Sequence, residues 1–299
     1  MQPAAHPSVA PLPYGPTSTY QVKVFDVAYR RDGDETWLAR IYQPQGAGPF
    51  PALIDVHGGV WSGGDRFSNA ARNEALAASG LLIAALDFRL APRDPYPASV
   101  ADVNYGTRWL KAQAPALGGD PRRLGGIGAS SGGHLVMLSA MRPHDPRYTA
   151  LPGPEHVDAG LAYVIACWPI LDPYARYRFA QASGRPELVR GSEGYFLNAE
   201  TMQEASPQGI LDRGEPAALP PTLVLQGTAD KNITMAMTER FLAAYRAAGG
   251  AIELERFPGM GHGFGDPPGA NLERALELMK AFIARQLAAA GPASEPPSA

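Results

Sequence analysis

"GGIGASSGGHL", residues 125–135, is the stretch on which the reading of this chain turns. The apolar run "LGGIGA" ends at Ala129, and the helical sequence "HLVMLSAM" follows almost at once. That order predicts a strand, a tight turn and a helix, with Ser130 on the turn between Gly128 and Gly132. Glycines at both positions let a backbone double back without Cβ clashes. A helix starting there would direct N–H groups and a positive dipole end at negative charge formed beside the serine. The pattern Gly-x-Ser-x-Gly says little alone, because the chain holds 33 glycines in 299 residues. A helix N-cap in a glycine-rich loop would give the same letters.

The surrounding chain supplies the context. Short apolar runs alternate with longer segments of helical period, which predicts an α/β fold with a mostly parallel central sheet flanked by helices. "YQVKVFDVAYR" and "TWLARIYQP" read as an opening pair of strands joined at Asp32-Gly33-Asp34. "FPALIDVH" and "LLIAALDF" are continuous apolar runs, as expected of strands buried on both faces. Between them, "SNAARNEALAASG" reads as a short helix with a Ser68 cap and a Gly80 stop. Later come the helix "ASVADVNYGTRWLKAQA", the strands "AGLAYVIACWPI", "PTLVLQGTAD" and "AIELERFPG", and the helix "AMTERFLAAYRAAGG". A closing helix, "NLERALELMKAFIARQLAAA", follows a cap at Asn271.

These signals place one domain over residues 20–290, preceded by an extended proline-rich arm (1–19) and followed by a disordered tail (291–299). Residues 171–218 break the rhythm, carrying Tyr174, Tyr177, Phe179, Tyr195 and Phe196 but no clear strand. An insertion of that length is expected to be a lid or a binding loop. Arg176 and Arg178 within it are expected to face water.

Composition narrows the function. With 26 basic and 29 acidic residues the net charge is −3, and no basic run interleaves with aromatics, so no nucleic-acid partner is expected. The first twenty residues lack the basic start and apolar stretch of a secretory signal, and no run approaches membrane-spanning length. A cytoplasmic protein without a membrane partner is therefore expected. Cys167 is the single cysteine and sits in an apolar run, as a buried thiol would. The six histidines are scattered without ligand spacing, so neither metal nor other cofactor is expected.

A serine hydroxyl needs an adjacent base held by a third group before it attacks anything. His262 lies in "FPGMGHGFGDPPG", directly after a strand, where parallel sheets open their crevice. His6 and His144 are proline-flanked, and His156 sits in an acidic loop; all three are expected to be solvated. Asp230 ends "TLVLQGTAD" between the serine and the histidine in chain order, with Asp172 as the competing carboxylate. An aspartate at a strand end can equally be a helix cap. "IDVHGGVWSGGDR" places Gly58, Gly59 and Val60 after another strand, where backbone N–H groups could join that of Ser131 around an oxyanion. His57 there is expected to fix the loop, and Asp65 to pair with Arg66. Trp61 and the aromatics Tyr174, Tyr177, Phe179, Tyr195 and Phe196 are candidates for a substrate pocket or for packing of the insertion.

"HGG", "GASSGG", "GTAD" and "GHGF", in that order, resemble the oxyanion loop, nucleophile elbow, acid loop and histidine loop of hormone-sensitive-lipase-like esterases of the α/β-hydrolase family. "DFRLAPRDPYPASVADV" resembles that group's "YRLAPEHPFPAA" segment. The resemblance implies an α/β-hydrolase fold with a small lid, and a carboxylic-ester hydrolase acting on small to medium esters through an acyl-enzyme. Ser130 would be nucleophile, His262 base, Asp230 its orienting acid, and Gly58 or Val60 with Gly59 and Ser131 the oxyanion hole. Relatives of this kind often dimerise through the last strand and helix, which allows a homodimer. Departures lie in Val60-Trp61, where the group has a further glycine, and in Ser131 and His134, where many relatives have alanine and asparagine. "HGGVW" is closer to the HGGxW loop of kynurenine formamidases and related small esterases. An amide hydrolase of that arylformamidase kind is therefore the alternative, and a non-catalytic binding member of the fold the remote one.

Overall fold

The computed structural model describes residues 14–154 and 156–289. The expected tail and most of the expected N-terminal arm lie outside these residues, as does His6.

A hairpin opens the sheet. β1 (Val22–Asp32) and β2 (Glu35–Pro44) pair antiparallel up to Asp32 and Glu35, and Gly33 takes φ 56° in the turn between them. The remaining strands are β3 (Phe50–Val56), β4 (Leu82–Leu86), β5 (Gly119–Ala129), β6 (Val164–Cys167), β7 (Thr222–Gly227) and β8 (Ile252–Phe257). They form one eight-stranded sheet in the order β1-β2-β4-β3-β5-β6-β7-β8. Every pairing from β4 to β8 is parallel, while β2 meets β4 antiparallel.

Parallel strands need crossovers, and helices supply them. α1 (Ala70–Ala78) and the closing α9 (Ala270–Ala289) cover one face. α2 (Ala98–Gln113), α3 (Ser131–Met141) and α8 (Met235–Ala247) cover the other. The alternation of β3 shows why both faces are needed. Leu53 packs into the cluster that holds Leu76 and Phe282, whereas Ile54 and Val56 pack into the one that holds Val100, Leu135 and Phe241. Each such aliphatic side chain stabilises the fold by about 1.5–3 kcal/mol on burial.

Two helix starts differ from the sequence reading. The N-cap position of α1 is Asn69, not Ser68, and its amide is directed instead to the Asp55 carboxylate at 3.1 Å. Asn271 lies inside the first turn of α9, with its amide on the Met260 sulfur. In both cases a tertiary partner took the side chain that a local cap would have used. Residues 171–218 are filled by α4 (Pro173–Ala182), α5 (Pro186–Phe196), α6 (Ala199–Glu204) and α7 (Pro207–Asp212). Among the described residues no helix is long and apolar enough to cross a membrane, and no cluster of potential metal ligands occurs.

Candidate active site

Ser130 sits between β5 and α3 with φ 53° and ψ −117°, a conformation that costs a non-glycine residue about 1–3 kcal/mol. The limbs of this turn almost touch. A Cβ on Gly128 would stand 2.4 Å from the Gly132 carbonyl oxygen, and one on Gly132 would stand 2.1 Å from that of Val56. Any side chain at either position would push the serine off its perch. The Ser130 backbone is held by its N–H on the Cys167 carbonyl at 2.9 Å and by the His134 N–H on its own carbonyl at 3.2 Å.

The loop after β8 carries His262 to this turn. His262 Nε2 lies 2.8 Å from Ser130 Oγ, and Nδ1 lies 2.8 Å from Asp230 Oδ2. Asp230 follows β7, and its side chain is fully buried. Burial alone would raise its pKa, but the His262 hydrogen bond and the backbone N–H groups of Asn232 and Ile233 outweigh that and hold it below the usual value. The carboxylate therefore stays ionised at neutral pH. An ionised Asp230 can only accept, so Nδ1 carries the imidazole proton and Nε2 is left to accept from the serine. Asp172, the competing carboxylate, caps α4 through the Ala175 N–H at 3.0 Å and pairs with Arg240.

The loop after β3 packs against Ser130. Gly58, Gly59 and Val60 line the same cavity as Ser130 and His262. Val60 and Trp61 take φ values of 54° and 59°, strained for side-chain-bearing residues. Among the described residues the N–H groups of Gly59, Val60 and Ser131 have no protein acceptor. His57 is buried and stacks on Phe88 at 4.2 Å, with Nδ1 2.7 Å from the Gly58 carbonyl oxygen, so it braces the loop from behind. Burial lowers its pKa and keeps it neutral. The expected Asp65–Arg66 pair is absent: Arg66 pairs with Asp87 and Asp26, while Asp65 caps the turn through the Phe67 N–H.

Trp61 is 1% exposed and does not line the cavity. Its indole N–H donates to His134 Nδ1 at 3.1 Å, and His134 Nε2–H in turn donates to the Ala205 carbonyl at 2.8 Å. Burial pushes the His134 imidazole down to about 4, which preserves this neutral tautomer. Trp61 also stacks on Tyr195 at 5.2 Å and meets Phe196 edge-on at 4.9 Å. Trp61, Tyr195 and Phe196, read as pocket candidates, are thus a core that fastens the insertion to α3 and the β3 loop. Tyr174 lines a separate hollow with Asp172 and Arg240. Tyr177 bonds Glu193 and Gln181 at the surface. Phe179 alone of the six candidates reaches the cavity.

That cavity, about 1050 Å³, holds several residues the sequence reading missed: Trp168, Leu188, Asn232 and Asp266. Trp168 directly follows β6 at φ 37°, and an aromatic just past a strand's carboxyl end was a signal open to use. Arg176 is a second departure. Expected in water, it is fully buried in α4, donating to Asn232 Oδ1, the Leu188 carbonyl and Ser192 Oγ. Burial draws its guanidinium down to about 10, so it remains charged at neutral pH. The arrangement of a hydroxyl, an oriented imidazole and unpaired N–H groups around one cavity is suited to acyl transfer.

Comparison with known proteins agrees. The BD-FAE family matches residues 40–245. The chain is similar to esterase LipC of Mycobacterium tuberculosis, with 32% identity over 79% of this chain and 58% of the relative. It is also similar to an ethyl acetate hydrolase of Pseudomonas putida, with 29% identity over 78% of this chain and 73% of that one. Two further mycobacterial relatives are covered over 57% and 59%, so the chain spans under three fifths of the first curated relatives' length. Among solved structures, Thermogutta terrifontis esterase 2 phosphoramylated by tabun superposes with a TM-score of 0.70 at 25% identity, covering 88% of this chain and 94% of that one. The sheet, the order of the loops and these matches together establish that the chain belongs to the BD-FAE family, within the α/β-hydrolases.

Proposed function

We propose that the protein is a serine carboxylic-ester hydrolase acting on small to medium esters, with Ser130, His262 and Asp230 as its triad. The observation that carries this reading is the unbroken chain Asp230 Oδ2–His262–Ser130 Oγ, 2.8 Å at each link. Ser130 Oγ bonds to the ester carbonyl carbon while its proton passes to His262 Nε2. The oxyanion is met by N–H groups of Gly59, Ser131 and either Gly58 or Val60. The intermediate breaks as Nε2 returns the proton to the departing alcohol, and water repeats the sequence to free the acid. The names of the relatives support an ester substrate, and the neighbour's tabun adduct supports a reactive serine. "HGGVW" lends the arylformamidase alternative no further weight, because Trp61 faces the core.

Phe179, Ser183, Arg185 and Leu188 line the cavity from the insertion, which in this reading is a cap that shapes the acyl or alcohol pocket. Within the same reading the enzyme is cytoplasmic, needs no cofactor, and could pair as a homodimer along β8, one of the sheet's two edge strands. The test is labelling with an organophosphate probe and assay of acyl esters from acetyl upward. Wild type should label at Ser130 and turn over short esters; Ser130→Ala should do neither. Ester hydrolysis retained by Ser130→Ala would reject the mechanism.

A further inference from the structure

Arg176 and Asn232 form a pair to which the triad assigns no task. Arg176 is fully buried, and among the described residues no carboxylate lies within ion-pair reach of it. Its Nε donates to Asn232 Oδ1 at 2.9 Å. A guanidinium has donors only, so Asn232 must turn its carbonyl oxygen to Arg176 and its NH2 the other way. On that side Nδ2 lies 3.3 Å from His262 Nε2, the nitrogen that also faces Ser130 Oγ at 2.8 Å. The backbone N–H of Asn232 donates to Asp230 Oδ1 at 2.7 Å, which anchors the residue from below. Asn232 also lines the cavity, so its amide is open to a bound substrate.

We propose that the Asn232 NH2 donates a hydrogen bond to the leaving-group oxygen of the ester, and that Arg176 is the positioning residue that aims it. This rests on the esterase reading above. When the tetrahedral intermediate breaks, the bond between the carbonyl carbon and the leaving oxygen cleaves, and its electron pair stays on that oxygen. The proton arrives from His262 Nε2, so the oxygen must lie within about 3 Å of that atom. Asn232 offers its donor beside the same atom. It surrenders no proton; its N–H offsets the charge that gathers on the oxygen before protonation is complete. The location of Arg176 in α4 explains how the insertion acts on the chemistry without touching substrate there. Its fork orients the one amide that a rotation of about 180° would turn into a useless acceptor.

A donor of this kind matters most where the leaving oxygen needs most help. Acetyl esters of ethanol, phenol and p-nitrophenol share an acyl group and differ in leaving-group basicity. Asn232→Ala should lower kcat/KM for the ethyl ester by about tenfold or more and for the p-nitrophenyl ester by less than about twofold, with the phenyl ester between. Asn232→Asp keeps the shape and the bond to Arg176 but replaces the donor with an anion beside His262 Nε2, and should lose activity on all three esters, most on the ethyl ester, while remaining folded. Arg176→Lys, which loses the planar fork, should show the Asn232→Ala gradient more weakly. An equal loss on all three esters, or no loss on any, overturns the proposal and leaves the triad standing. Absence of hydrolysis by wild type on every ester would overturn the esterase reading itself.

Discussion

Replacing Asp230 with asparagine should abolish turnover without unfolding the protein, and the hydrogen bonds around the carboxylate say why. Oδ1 accepts the backbone N–H groups of Asn232 at 2.7 Å and Ile233 at 3.0 Å. Oδ2 accepts Gln226 Nε2 at 2.9 Å and His262 Nδ1 at 2.8 Å. In Asp230→Asn one oxygen becomes an NH2. It cannot take the Oδ1 place, because two immovable backbone donors would face it. The NH2 must therefore take the Oδ2 place, and both partners there have to adapt. The Gln226 amide keeps its bonds to the Ile233 and Gly227 carbonyls, which hold its NH2 in place, and gives up this one. The imidazole can answer only by changing tautomer, so that Nδ1 accepts from the new amide and Nε2 carries the proton toward Ser130.

A protonated Nε2 cannot act as base. Loss of that step in serine hydrolases lowers kcat by about 10⁴, or about 5.5 kcal/mol at about 1.36 kcal/mol per tenfold. The assay is kcat/KM on p-nitrophenyl acetate beside a thermal melt of the same sample. A folded Asp230→Asn variant that loses less than about tenfold would refute the tautomer reasoning.

Other expected outcomes follow from the same contacts. Ser131→Ala should be mild where Ser130→Ala is fatal, because the proposed mechanism uses only the backbone N–H of Ser131, which alanine keeps; parallel kcat/KM measurements decide it. Arg72 and Asp55 form a buried pair at 2.6 Å, with the carboxylate also held by Asn69 and Asn73. Asp55→Ala leaves a buried cation alone and should cost about 3–5 kcal/mol in urea unfolding, whereas adding Arg72→Met should recover part of that loss. A double variant as unstable as the sum of the two singles would count against a coupled pair. Glu204 and Asp230 have folded-state pKa values below their unfolded values of 4.5 and 3.8. Their stabilisation is complete above those unfolded values and is lost as pH falls below them through the lower folded values, so the melting temperature should drop below about pH 4.5. A melting temperature that stays level from pH 6 to pH 3 would contradict this.

The parts of the site that sequence made legible are those whose signals are local. Ser130, Asp230 and His262 each stand at a strand's carboxyl end beside glycines, and their chain order is the order in which the loops meet. The sheet was legible for the same reason, since parallel strands buried on both faces carry continuous apolar runs. Helix starts were less so. Ser68 and Asn69 are both good caps by residue type, and the choice between them was made by Asp55, fourteen positions away in the chain from Asn69.

The insertion was illegible because its side chains are sorted by packing between helices, which no spacing within 171–218 reports. Trp61 lies on another loop altogether, yet it decides that Tyr195 and Phe196 face inward, leaving Phe179 to reach the cavity. Arg176 shows the same dependence in a charged residue. An arginine between two tyrosines on a short helix reads as a solvated face, and Asp172 four positions earlier is placed to pair with it there. The fold gives Asp172 to Arg240 instead and gives the buried guanidinium a carbonyl, a hydroxyl and an amide oxygen from three separate positions. Burying an unpaired cation is costly, and a site tolerates it where the cation does something a neutral side chain cannot. Here a donor-only fork fixes which end of the Asn232 amide meets His262. A methionine of similar length could fill the space but could not make that choice.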